Sequence, residues 1–361
     1  MILTILSFFV IVVTGFMLWM GKKRNMDRWF VTYLKSSPNT LDDSTVYNIY
    51  FAITDHFEPF QGQSDKESAL RRVKKWVDLY PEIAQQFKDS AGRSPVHTMF
   101  YPIEEYDEHV MDIVSQLKKE QYADVEIHLH HDNDNSENLK HEINNFKETL
   151  YNKHNLLRKE NGVIKYGFIH GNWALNNCRP DGKWCGVDDE IQILRETGCY
   201  ADFTMPSAPD VTQTEYINGI YLLDNNLSDV TLINETTEIQ DKLVMVQGPL
   251  ALNWKYRKSG LVPKIENGEI SHDNIWHPSR GKLWLKYSPC IQNNGGKNIF
   301  IKLYTHGAQD ENIDCLLIEK ELAKIWTFFN QIVGNHPNYN LFYVSAWEMY
   351  LKILESLDKN D

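Results

Sequence analysis

The chain is short of several things, and each shortage narrows what it can be. Cysteine is sparse and odd in number, 5 in 361 residues. A disulfide-built scaffold is therefore excluded, and at least one thiol stays unpaired. Basic residues are in deficit: 37 Lys+Arg stand against 49 Asp+Glu, a formal net charge of −12. That balance argues against nucleic-acid binding, which needs a basic surface. No GxGxxG and no Walker-type loop occurs, which removes the main support for a nucleotide-binding sheet. Internal repeats and low-complexity tracts are lacking as well. With an ordinary hydrophobic share of 42%, disorder, collagen and coiled coil are out. Aromatic and imidazole side chains are plentiful, with 10 Trp, 18 Tyr and 13 His.

Residues 1–20, MILTILSFFVIVVTGFMLWM, hold no charged side chain. As a helix they would span about 30 Å, the thickness of a bilayer's hydrocarbon core. The basic residues Lys22, Lys23, Arg24 and Arg28 follow the run instead of preceding it, which favours a transmembrane anchor over a cleaved signal peptide. The positive-inside rule then puts the remainder on the cytoplasmic face. Residues 21–45 read as a juxtamembrane linker.

From residue 46 to 361, β-rich and helical segments alternate. Strands are expected at Val46–Thr54, His97–Tyr101, Asp124–His130, Ile164–His170, Tyr200–Thr204 and Asn298–Thr305, with helices between them. Successive β-then-α units predict a parallel sheet. The expected fold class is α/β, an irregular parallel (β/α) barrel, with an open doubly wound sheet as the alternative. Residues 205–297 break the rhythm and read as an elaborated insertion. It contains a hairpin at Lys264–Ile270 that turns on Asn267-Gly268. The basic face at Arg71, Arg72, Lys74 and Lys75 reads as a solvated helix.

Three strand ends carry chemistry: Thr54-Asp55-His56-Phe57-Glu58, Glu126-Ile127-His128-Leu129-His130-His131-Asp132 and Tyr304-Thr305-His306-Gly307. Side chains alternate along a strand, so His128 and His130 share a face, and Asp132 joins them if the strand continues. Lys302, Tyr304 and His306 likewise point one way. Three imidazoles and a carboxylate within five residues are costly to bury without a role. Two His at i, i+2 with a carboxylate suit a divalent metal, zinc first. Cys178 and Cys185, seven apart, are too widely spaced for a metal knuckle and read as a loop pair. The tryptophans, Trp173 among them, suit either sugar stacking or the core.

These motifs, in this order, resemble the polysaccharide deacetylases (NodB-like, carbohydrate esterase family 4) over about residues 46–310. The resemblance implies a β/α barrel that uses a divalent metal to remove N-acetyl groups from a polysaccharide or lipid-linked glycan. It implies Asp55 as catalytic base and His306 as the proton donor. As metal ligands it implies His56 and His128, with His130 or Asp132 completing the set. The family's middle motif has no counterpart; His170-Gly171-Asn172-Trp173 stands in its place. Two other readings stay open: a glycoside hydrolase, which needs two carboxylates about 5–10 Å apart, and a non-catalytic carbohydrate-binding or assembly protein.

Overall fold

The computed structural model describes residues 15–16, 19–239, 241–258, 262–293 and 295–357. Its strands are β1 Tyr47–His56, β2 His97–Pro102, β3 Ala123–Leu129, β4 Arg158–Glu160, β5 Val163–His170, β6 Cys199–Asp202 and β7 Ile220–Leu223. They continue with β8 Val230–Leu232, β9 Leu243–Val246, β10 Ala251–Lys258, β11 Val262–Glu266, β12 Cys290–Asn293, β13 Gly296–Thr305 and β14 Tyr339–Tyr343. The main sheet runs β12-β13-β1-β2-β3-β5-β6-β9-β7-β8. Along this path every pairing from β13 to β9 is parallel and those at the margins are antiparallel; off the path, β14 pairs parallel with β1 and β4 antiparallel with β5. The fold is thus α/β with a mostly parallel sheet, as the alternation predicts. Among the described residues the sheet does not close into a barrel: β12 and β8 end the path unpaired with each other.

β1 shows why this sheet sits at the centre. It is buried on both faces, so its sequence is a near-continuous apolar run. Ile49, Phe51 and Ile53 pack in the large core beneath the helices, while Tyr50 and Ala52 pack in a second core on the other face. That second core is filled from below by Ala346, Met349 and Ile353 of the last helix, Ala346–Leu357. The same face is therefore apolar toward the amino ends of the strands and polar at their carboxyl ends.

Several expected boundaries move. The stretch 205–297 is more than an insertion, since it supplies β9 to the parallel sheet and β7, β8 and β12 to its margins. β11 pairs with β10 rather than folding back at Asn267-Gly268. The residues after that dipeptide instead run beside the end of β13, where Glu269 bridges Tyr304. Residues 21–45 are not a free linker: Trp29 is fully buried against Ala208, Ile217, Leu250, Leu252 and Ile265. The basic helix face is not simply solvated. Arg72 pairs with Asp310 at 2.9 Å and Lys75 with Asp314 at 3.1 Å, clamping the segment after β13. Most of the expected anchor, residues 1–14, 17 and 18, lies outside the described residues. Among those described, no helix is long and apolar enough to cross a membrane.

Candidate functional site

Four strand ends and the loop after β5 meet at one edge of the sheet. β1 delivers His56 as its last residue, and Glu58 follows two positions on, so both reach the same side. Both are buried. The His56 ring lies 4.9 Å from that of His128 and 4.7 Å from that of His306. β3 contributes His128, whose Nδ1 is 2.8 Å from the Ile169 carbonyl oxygen. A carbonyl can only accept, so Nδ1 holds the hydrogen and the neutral ring keeps its lone pair on Nε2. That Nε2 faces Glu58 Oε1 at 3.2 Å.

A lone pair facing a carboxylate oxygen requires a proton or a cation between them. Two donors on one metal, with bonds of about 2.0–2.2 Å, stand roughly 3–3.5 Å apart, which is the spacing found here. The donor atoms of His56, Glu58 and His128 all lie within 4.8 Å of one another. Burial first, then the charges of His306, His128, Lys302 and His130, hold the His56 imidazole well below its ordinary pKa. It is therefore neutral and able to donate a lone pair. Burial alone would raise the Glu58 carboxyl. With a proton on His128 Nε2 in place of a cation, the hydrogen bond and charge of His128, with His306 and His130, instead bring it below the usual value. The three residues fit a divalent cation.

His130 sits above this group. Its Nδ1 is 2.5 Å from Glu104 Oε1 and its Nε2 is 3.5 Å from Glu58 Oε1. A carboxylate behind an imidazole is the usual way a ligand histidine is oriented. Burial lowers the His130 pKa, but the hydrogen bond to Glu104 and the charges of Glu58, Glu104 and Glu105 give a net rise. Beside it, burial pushes Glu105 up to about 7, assisted by the charges of Glu58 and Glu104 and opposed by the Phe60 N–H.

The group opens into a cleft of about 450 Å³ whose walls include Glu105, Asn172, Trp173, His306 and Gln309. Lys302, Tyr304 and His306 share a face as the alternation predicts. Lys302 donates to the carbonyl oxygens of Phe203 and Met205, and the Tyr304 ring lies 5.9 Å from that of His56. Trp173 stands 6.3 Å from His56 and 6.4 Å from His306, measured between ring centroids.

Two expected residues lie elsewhere. Asp55 is on the opposite face of β1, fully buried among the residues under the helices. Its Oδ1 accepts the Gly307 N–H at 2.6 Å and its Oδ2 lies 2.8 Å from His97 Nε2. Both oxygens are engaged away from the cleft, so its position gives it no contact with a substrate there. Its structural effect is to hold the turn that carries His306. Asp132 is also absent from the group, because β3 stops at Leu129 and the alternation lapses before reaching it. Asp132 is exposed and accepts the Trp184 N–H at 2.6 Å.

Glu58 is the candidate donor that motif reading underrated. Its signal was the i, i+2 spacing from His56. Glu104 and Glu105, in the short turn after β2, offered no signal beyond being acidic and near a strand end. A second group, His131, His170, Cys185 and Glu190, also brings donor atoms within 4.8 Å. Neither a protein-family model nor a curated protein matches the chain.

Proposed function

We propose that the chain is a metal-dependent hydrolase that removes N-acetyl groups from a polysaccharide or lipid-linked glycan. The observation that carries this reading is His128 Nε2 set 3.2 Å from Glu58 Oε1 with its Nδ1 turned to the Ile169 carbonyl, beside His56 and at the base of an open cleft. His56, Glu58 and His128 would hold a divalent metal, zinc being the natural match to a mixed imidazole and carboxylate set. When bound, such a cation supplies Lewis acidity toward a carbonyl oxygen and toward water.

The chain's own groups supply the rest. Glu105, with a value near 7, is suited to accept a proton in the cleft at neutral pH. His306, which lines the same cleft, is placed to hand a proton to a departing amine. Trp173 offers a flat apolar face beside both, as a sugar ring requires. The membrane anchor at residues 1–20 belongs to the same proposal, since it would hold the site near a lipid-linked or surface glycan.

The test is acetate release from a panel of N-acetylated glycans by the zinc-loaded full chain. Release should stop on chelation, return on adding zinc, and be lost in Glu58→Gln. No release from any member, or release that persists without metal, overturns the reading. Glu58 and Glu105 both line the cleft, which favours glycoside hydrolysis as a second reading. The same panel would then yield new reducing ends and no acetate.

A further inference from the structure

The group formed by His131, His170, Cys185 and Glu190 shares no residue with the cleft. His131 follows β3, His170 ends β5, Cys185 lies in the loop 171–189, and Glu190 opens the helix Glu190–Thr197. His170, Cys185 and Glu190 are buried, and the His131 side chain is only 7% exposed. This is the enclosure of a structural site and not of a catalytic one.

The hydrogen bonds fix both rings. His131 Nδ1 lies 2.8 Å from Asp134 Oδ2, and His170 Nδ1 lies against the Gly171 carbonyl oxygen. Both partners accept, so each Nδ1 holds its hydrogen, and each ring in its neutral form presents a lone pair on Nε2. With no cation between them, burial is outweighed by the hydrogen bonds and charges of Cys185 and Glu190, which push His131 up to about 11, so it carries the proton that a metal would replace. Those two Nε2 atoms stand 2.9 Å apart. Glu190 adds Oε1 at 3.4 Å from His131 Nε2 and Oε2 at 3.6 Å from His170 Nε2. Cys185 Sγ is 3.7 Å from Glu190 Oε2. Oε2 accepts the Asn176 N–H, but the fully buried Oε1 makes no aligned hydrogen bond. A buried carboxylate oxygen without a partner is expensive, and here Oε1 faces His131 Nε2 while Oε2 faces His170 Nε2 and the Cys185 thiol.

We infer that His131, His170, Cys185 and Glu190 form a second, closed metal site that takes zinc or a similar divalent cation. Bonds of about 2.0–2.3 Å to nitrogen, oxygen and sulfur in a tetrahedron separate the donors by roughly 3.3–3.7 Å. The two Nε2 atoms at 2.9 Å, the glutamate contacts at 3.4 and 3.6 Å and the thiol contact at 3.7 Å lie close to that range, and all four donors lie within 4.8 Å of one another. Two neutral imidazoles, one thiolate and one carboxylate cancel a dication, so the filled site is neutral, as its burial demands. Asp134 and the Gly171 carbonyl stand behind the two rings in the orienting role that ligand histidines need.

The site staples the loop 171–189 to the ends of β3 and β5. That loop holds Asn172, Trp173, Asn176, Asn177 and Trp184 at positive φ, a costly backbone for bulky side chains that persists only where the surroundings enforce it. It also carries Trp173 into the wall of the cleft. His130 and His131, adjacent in sequence, therefore serve two different centres: one faces the open group and the other the closed one.

Cobalt tests the assignment, because a thiolate ligand gives Co²⁺ a strong near-ultraviolet charge-transfer band and the cleft group contains no sulfur. The metal-free full chain refilled with Co²⁺ should show the band. Cys185→Ser should abolish it. Cys178→Ser should keep it, since that thiol points at the Trp173 and Thr212 carbonyls. His128→Ala should keep it while binding one fewer cobalt per chain. Glu190→Gln, which keeps the thiolate and the shape, should weaken cobalt binding by about tenfold or more, at least the effect of losing an outer partner. No band in the wild-type chain at saturating cobalt means that His131 and His170 merely share a proton, and the site is overturned. A band that survives in Cys185→Ser, or unchanged affinity in Glu190→Gln, overturns the ligand set.

Discussion

At the scale of single residues, the site is governed by which face of a strand a side chain leaves from. Asp55 and His56 are neighbours in sequence, yet one supports the turn after β13 and the other faces the cleft. Asp55→Asn should therefore act on stability. The amide oxygen can still accept the Gly307 N–H, but the amide NH2 meets His97 Nε2 as a donor, so the ring must change tautomer or lose its partner, a cost of up to about 1–3 kcal/mol. Urea unfolding should show that loss, with metal content unchanged. A variant with full stability and no acetate release would restore Asp55 as a base. Glu105 makes a second prediction at this scale. Its folded value near 7 lies above the ordinary 4.5, so the folded state keeps a proton that the unfolded chain has already released. The contribution to stability is full below pH 4.5 and is lost as pH rises through about 7. In the metal-free chain, Glu105→Gln should flatten the decline in urea midpoint across that window. An unchanged slope would mean that Glu105 titrates like a free carboxylate.

Elements explain what was legible in the sequence and what was not. β1, β2, β3, β5 and β13 announce themselves, because strands buried on both faces are long apolar runs and their ends are marked by the polar residues that follow. The positions of His56, His128, His130 and His306 at one edge follow from that alone. The reach of Asp132 did not follow, because β3 stops at Leu129 and Asp132 turns instead to the Trp184 N–H that the loop 171–189 brings to it. Cys185 and Glu190 were equally hidden. The Cys178–Cys185 spacing fits no metal knuckle, and the four donors come from four separate places that only the folded loop unites. The β13 turn supports a prediction at this scale. A Cβ on Gly307 would lie 2.1 Å from Asp55 Oδ2 and 2.7 Å from Trp76 Cζ2, so the turn must shift. Gly307→Ala should destabilise by about 1–3 kcal/mol, as overpacking does. It should also reduce turnover by moving His306, while leaving the His56, Glu58 and His128 donors and their metal in place. Unchanged turnover would show that His306 has no part in the reaction.

Across the whole molecule, the sheet is closed at one end by side chains rather than by strand pairing. The last helix fills its face below, and the two candidate metal-binding groups occupy the face above. The amino-terminal segment adds a further constraint. Trp29 fills a pocket of the β10–β11 region, Arg24 donates to the Pro263 carbonyl at 3.0 Å, and the Tyr33 hydroxyl meets that of Tyr287 at 3.1 Å. The segment that follows the apolar run is therefore strapped to the domain, and if residues 1–20 enter a bilayer the domain is held close against it. The strap should also be part of the folding unit. Removing a fully buried Trp costs about 3–5 kcal/mol, so Trp29→Ala should lower the urea stability of a chain that begins at Arg24 by that amount. A chain that begins at Ser37 should be destabilised at least as much, because Leu250, Leu252 and Ile265 lose their cover. If the chain from Ser37 unfolds at the same urea concentration as the chain from Arg24, residues 24–36 are a tether after all, and the distance of the cleft from a membrane is set by nothing in the fold.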